Sequence, residues 1–304
     1  GFLGVKLPAS TGIDEDGSTY FTNVARVKNH GIDWMLTATI LDKPMRWKTT
    51  FTFSRNKNEV LDVGTATPDA LDGGFGDTRA ILGASSAENF IVPFSHIDPE
   101  SGAPVYLDAE GNETFVYDPV LNRQALGTAF PDFYGAIRNT FTYKRFSLDI
   151  LCNYRKGGTV YDDAAKRQLG VITPDWNYRT EIYDHWDGLG DVATYPQLTT
   201  SMLNWGGNAN AWQNNHSLWL HDASYFRIKN ITASYELPTK KKFLKQANVF
   251  VSATNVFLLA AYYGDPEVAR ERPDAQQRNV GGIGVTYLTS PQEKTYNLGV
   301  NVQF

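Results

Sequence analysis

What most constrains this chain is a strict alternation of apolar and polar residues that recurs along it, joined by connections of only two kinds. Ile32, Trp34, Leu36, Ala38 and Ile40 alternate with Asp33, Met35, Thr37 and Thr39; past Leu41-Asp42-Lys43-Pro44 the pattern resumes with Met45, Trp47, Thr49, Phe51 and Phe53. Phe133, Gly135, Ile137, Asn139 and Phe141 share one face of the next segment, and across Tyr143-Lys144-Arg145 so do Phe146, Leu148, Ile150, Cys152 and Tyr154. A period of two places successive side chains on opposite faces of a strand. Residues 225–237 and 247–257 form another pair; in the first, the apolar set slips phase between Ile228 and Ile231, which predicts a β-bulge near Lys229-Asn230. The last segment carries Tyr296, Leu298, Val300, Val302 and Phe304 on one face.

Links near 42–45, 143–145 and 238–246 are short, whereas those near 7–25, 58–130, 157–223 and 258–293 are long and rich in Gly, Pro, Asp and Asn. Taken alone, the final strand fits equally an edge strand of a soluble sandwich and the closing strand of an outer-membrane barrel. The other segments favour the barrel. Their polar faces carry Arg46, Lys48, Arg138, Asp149 and Arg155, which a dry sandwich core would accept only if each were paired. An aqueous lumen accepts them readily, and barrels of this kind have short periplasmic turns and long extracellular loops. If the last strand ends in the periplasm, every long connection lies outside and every short turn inside. The expected fold is all-β: about eight strands of a large antiparallel transmembrane β-barrel. Residues 1–6 read as the last turns of a strand begun elsewhere, so residues 1–304 are expected to be the C-terminal part of that barrel.

Composition narrows the function. With 42% hydrophobic and 20% charged residues the 304-residue chain is not disordered overall, and no apolar run approaches the roughly 20 residues of a membrane-spanning helix. A net charge of -5 argues against bulk electrostatic binding to nucleic acid, and the single Cys152 cannot form an internal disulfide. Enzymatic motifs fail: Gly83-Ala84-Ser85-Ser86-Ala87 lacks the last Gly of a nucleophile elbow, and Gly74-Phe75-Gly76-Asp77-Thr78-Arg79 lacks the third Gly of a dinucleotide fingerprint. The five histidines show no metal-ligand spacing. Asp108-Ala109-Glu110-Gly111-Asn112-Glu113 has Glu where a calcium loop needs its turn Gly, and reads better as a hairpin turn. Loop calcium on Asp162, Asp163, Asp184, Asp187 and Asp191 is the one cofactor left to consider.

Five of the seven tryptophans, Trp176, Trp186, Trp205, Trp212 and Trp219, fall in the 157–223 loop with Tyr178, Tyr183 and Tyr195. Flat aromatic faces stack on sugar rings, so Trp176, Tyr178, Trp186, Trp205, Trp212 and Trp219 form a candidate ligand platform. The competing reading has them fold the loop on itself or pack against a partner, and a long ordered loop needs a small core of its own. Trp34 and Trp47 lie on apolar faces, expected near the short turn in an interfacial girdle. Arg46, Lys48, Arg138, Asp149 and Arg155 are expected to line the lumen, chiefly as salt bridges.

Particular residues then resemble a known family. Val24-Ala25-Arg26-Val27-Lys28-Asn29-His30-Gly31-Ile32, Phe51 to Leu61, and Phe130-Pro131-Asp132-Phe133-Tyr134-Gly135 resemble strands of SusC-like TonB-dependent transporters. So, more specifically, do Asp222-Ala223-Ser224-Tyr225-Phe226-Arg227-Ile228-Lys229-Asn230-Ile231-Thr232, Val249 to Phe257, Asp265-Pro266-Glu267-Val268 and the terminal Asn297 to Phe304. The resemblance spans residues 20–304 but is carried by strands. It implies an outer-membrane protein of a Gram-negative bacterium, with a barrel of about 22 strands, an N-terminal plug and energy from the TonB complex. It also implies a SusD-like lipoprotein lid and import of oligosaccharides or peptides. A lidless receptor for metal chelates or cobalamin, and a glycan-binding β-sandwich, are the alternatives.

Overall fold

The computed structural model describes residues 3–6, 19–22, 25–64, 71–73, 78–170, 177–199, 211–239, 244–268 and 284–304. Seven long strands, numbered here among themselves, make one sheet: β1 (Arg26–Leu41), β2 (Met45–Asp62), β3 (Phe133–Tyr143), β4 (Phe146–Lys156), β5 (Tyr225–Glu236), β6 (Gln246–Ala260) and β7 (Thr295–Gln303). Each pairs antiparallel with its neighbours in sequence, so the sheet is an uncrossed meander.

Register converts the sequence alternation into two continuous surfaces. Leu36, Phe51, Ile137, Cys152, Ile228 and Phe257 lie in one row across six strands. Trp47, Phe141, Leu148, Ala233, Val251 and Leu298 form a parallel row nearer the short turns. Large apolar side chains of this face stay uncovered by the rest of the chain: Leu298 is 77% exposed, Trp34 68% and Leu36 63%. Aromatic pairs brace it, with Trp47 stacked on Phe141 at 5.5 Å and the Trp47 indole N–H donating to Asn139 at 3.0 Å. Such cross-strand pairs each contribute roughly 0.2–1 kcal/mol. Tyr154 leans over Gly135 and donates to the Thr52 carbonyl at 2.8 Å. A Cβ at Gly135 would stand 2.6 Å from that hydroxyl, so the tyrosine needs glycine beneath it.

Local devices appear where the pattern breaks. Leu151 faces Asn230 and Cys152 faces Ile228, leaving Lys229 as the extra residue of the expected bulge. On β6, Asn255 at φ +53° makes the matching irregularity and donates to the Glu293 carbonyl at 3.0 Å. The β3–β4 turn is two residues long, with Lys144 at φ +55°, the left-handed conformation that tight hairpins require. Leu3–Lys6, expected to end an eighth barrel strand, pairs antiparallel with Thr19–Thr22, the segment ahead of β1 in sequence, in a two-stranded sheet apart from the seven-stranded one.

At the other end, the long connections fold together. Glu88–Ile91, Phe94–Ile97 and Pro104–Leu107 come from the first, Thr159–Asp162 and Leu220–Asp222 from the second, and Val285–Thr286 from the third. One core joins them: Ile91 and Ile97, then Tyr161, Leu169, Ile182, Trp212 and Trp219, then Val285. We call this unit the roof. β2 also runs further than its alternation suggests, through Asn58 to Asp62, where it stays paired with β1 up to Arg26 and Val60 also exchanges backbone hydrogen bonds with Gly83 and Ala84 at 2.8 Å.

Candidate functional site

Two polar regions are candidates: the inner face of the sheet and the roof above it. On the sheet, Lys48, Thr140, Asp149, Thr232 and Ser252 share one row. Arg138 pairs with Asp149 at 2.8 Å and Thr140 donates to the same oxygen at 2.8 Å. Arg46 pairs with Asp42 at 3.3 Å in the turn. Arg155 behaves differently. Its guanidinium donates to the Ala129 and Gly157 carbonyls at 2.7 and 3.3 Å, tying the strand top to the roof, so it is committed to the loop junction and not to a solute.

The structure gathers four residues of the expected aromatic platform, Tyr178, Trp186, Trp212 and Trp219, in or against the roof core. Trp212 and Trp219 are each 1% exposed and meet edge to face at 5.2 Å in the roof core. Trp212 donates to the Leu169 carbonyl at 2.5 Å. Trp186 donates to the Pro99 carbonyl at 3.0 Å, and it and Tyr178 pack against that core half-buried. Trp212 and Trp219 therefore have no free face for a sugar; they supply the core that the loop needs. Trp176 and Trp205 lie outside the described residues. Trp47 sits beside the short turn, but Trp34 pairs with Phe53, at the roof end of the apolar belt. The alternation gives its face correctly; its height depends on how far each hairpin extends, which the pattern does not state.

Of the five loop aspartates, Asp162, Asp163 and Asp191 have engaged carboxylates. Arg179 clasps Asp162 with two N–H groups at 2.6 and 3.0 Å, and Tyr262 and Tyr263 donate to the same carboxylate. Burial alone would raise the Asp162 pKa, but these hydrogen bonds and the Arg179 charge together hold it below the ordinary carboxylate value. Asp163 pairs with Lys166, and Asp191 accepts the Asp187 N–H at 3.0 Å. Asp108 accepts the Glu110 and Asn112 amides at 3.0 and 2.8 Å as a turn residue. No grouping of three or more metal-ligating side chains occurs among the described residues. A second network clamps β5 to the third connection: Arg227, buried, reaches Asp265 and Glu267, each at 2.5 Å.

The sequence reading missed a cavity of about 450 Å³ in the roof, lined by Asp163, Lys166, Arg167, Gln213, Asn214, Asn215 and Tyr287. Lys166 donates to the Asn215 side chain at 2.9 Å, and Tyr161 donates to it at 3.1 Å. The available signal was the amide run Gln213-Asn214-Asn215 directly after Trp212. The cavity offers donors and acceptors in close array, suited to hydroxyl or amide groups of a polar ligand.

No family model matches the chain. TonB-dependent receptors P3 and P26 of Formosa agariphila are 24% and 25% identical to it, over 98% and 99% of its length. The chain spans about 30% of the length of these relatives. The RagAB peptide transporter superposes over 100% of the chain and 32% of its own, with a TM-score of 0.78 at 21% identity. Its 'open-open' state gives a TM-score of 0.75. The chain resembles part of a SusC-like TonB-dependent receptor. That resemblance places the strands in the outer membrane of a Gram-negative bacterium, which accounts for a sheet whose large apolar side chains face outward.

Proposed function

We propose that the chain is a barrel-wall and outer-loop portion of a TonB-dependent importer of nutrient oligomers, oligosaccharide or peptide, that works with a SusD-like lipoprotein lid. The observation that carries this reading is the two-faced sheet under a folded roof. One face is apolar and outward, the other is polar and carries the Arg138–Asp149 ion pair, and the connections at one end build a polar cavity. In hydrocarbon the edges β1 and β7 need partners for their backbone groups, which further strands of the full-length protein supply. The roof carries an exposed apolar patch, Phe115, Val116, Val120 and Leu121, suited to covering by a lid. Energy from the TonB complex would act through parts of the full-length protein outside this chain.

The test is to purify the tagged full-length protein from outer membranes in mild detergent and identify what accompanies it by mass spectrometry. A stoichiometric lipoprotein with a bound glycan or peptide is expected. A barrel alone, holding a metal chelate, would overturn both lid and substrate class.

A further inference from the structure

Above the apolar belt, the outward face of the first hairpin turns basic within one residue pair. Going up β2, the outward side chains run Phe51, Phe53, Arg55, Lys57 and Glu59; opposite them on β1 stand Leu36, Trp34, Ile32, His30 and Lys28. No register shift interrupts the pairing between Val27 and Thr39, so the facing of these side chains is fixed by alternation. Lys28, His30, Arg55 and Lys57 are all exposed. Lys57 comes within 3.9 Å of Glu59, whereas no ion pair engages Arg55 or Lys28 among the described residues. Beside them the sheet parts. β2 pairs with β3 only as far as Ser54 and Tyr134, then rejoins structure at Val60 through Gly83 and Ala84. The opening is a cavity of about 280 Å³ whose wall includes Arg55, Lys57, Asn56, Asn58, Ser85 and Thr128. Glu88 and Asp132 also line it, and Glu88 accepts the Gly127 amide at 3.0 Å.

We propose that this site binds the headgroup of a phosphorylated glycolipid of the outer leaflet. The phosphate lies on Arg55, Lys57 and Lys28, the sugar hydroxyls meet the amides, hydroxyls and carboxylates of the opening, and the acyl chains lie along Trp34, Leu36, Phe51 and Phe53. Charge and height argue for it together. Cations one residue pair above the hydrocarbon boundary stand at headgroup level, where each contributes about 1 kcal/mol toward an anionic lipid. The apolar belt directly below fits acyl chains and not a free anion. The proposal rests on the reading of the strands as membrane-spanning.

The experiment uses full-length protein extracted from outer membranes and delipidated in detergent, titrated with bisphosphorylated lipid A and followed by native mass spectrometry. Wild type should bind one tight lipid, and Arg55→Gln/Lys57→Gln should bind it about 30-fold more weakly, at roughly 5-fold per charge. Arg55→Lys/Lys57→Arg should restore binding, and the dephosphorylated glycolipid should bind wild type as weakly as the double Gln variant binds lipid A. Equal affinity of wild type and double Gln variant would overturn the site. Complete displacement by millimolar inorganic phosphate would reassign it to a free anion and overturn the lipid. Recovery of the protein outside the membrane fraction would remove the membrane reading itself, a result distinct from both.

Discussion

The sheet and the roof bury their large apolar residues in opposite senses. On the sheet, Trp34, Leu298 and Tyr296 are 68%, 77% and 70% exposed, while Arg138 pairs with Asp149 on the other face. In the roof, Trp212, Trp219 and Tyr161 are at most 1% exposed and the charges ring a polar cavity. One chain is therefore built for two solvents. Its strands rely on lipid to cover what its loops must cover for themselves, and the boundary falls where Arg55 follows Phe53 on β2.

The sharpest way to test that division is to damage the roof core. Trp212→Ala empties a buried indole site and should cost the roof about 3–5 kcal/mol, as such truncations do in soluble cores. In the full-length protein, limited proteolysis should then cut within the long connections while the barrel keeps its heat-resistant mobility on gels. Unchanged cleavage would mean that the roof does not depend on a core of its own.

Damage to the sheet should show the opposite sense of burial. Ile137→Arg introduces a charge near the middle of the outward belt and should destabilise the barrel by about 2–4 kcal/mol in urea titrations in lipid vesicles. Thr232→Arg lies on the inner face directly opposite Asp149 and should cost less than about 1 kcal/mol, as substitutions on a solvated face do. Equal losses at the two positions would contradict the assignment of faces.

How much of this was legible in the sequence differs between the two regions for one physical reason. Strand alternation is local, so the faces of Phe51, Ile137 and Leu148, the bulge at Lys229 and the short turns could all be read directly. The pairing of Arg138 with Asp149 also follows once adjacent strands are aligned. The roof depends on contacts among three connections far apart in sequence, and no period announces them. Trp212 and Trp219 therefore read as ligand-binding and core residues alike, and only the packing of Ile91 and Val285 around them decides. Arg155 looked like a lumen residue because alternation reports a face and not the loop carbonyl waiting at its end.

A third test is a pH dependence confined to the roof. His216 lies among Trp212, Trp219, Phe94 and Tyr106, with ring centroids 5.0–5.7 Å away, and its Nε2–H donates to the Trp212 carbonyl at 3.1 Å. Burial pushes its pKa down to about 3; the Trp212 carbonyl opposes the shift and the Lys166 charge adds to it. An unfolded histidine titrates near ~6.5, so between these values the unfolded roof binds a proton that the folded roof does not. Stability is thus full above about pH 6.5 and falls as the pH drops, by about 2 kcal/mol at pH 5. His221, also lowered by burial, acts in the same direction. Asp162, held low, loses its contribution only below about pH 4 and leaves this window undisturbed. Thermal melting of the roof, followed by near-ultraviolet circular dichroism at pH 7 and pH 5, should show a loss in wild type that His216→Phe substantially reduces. The sheet, whose outward belt carries no such group, should melt alike at both pH values; an equal pH slope in wild type and variant would place the titration elsewhere.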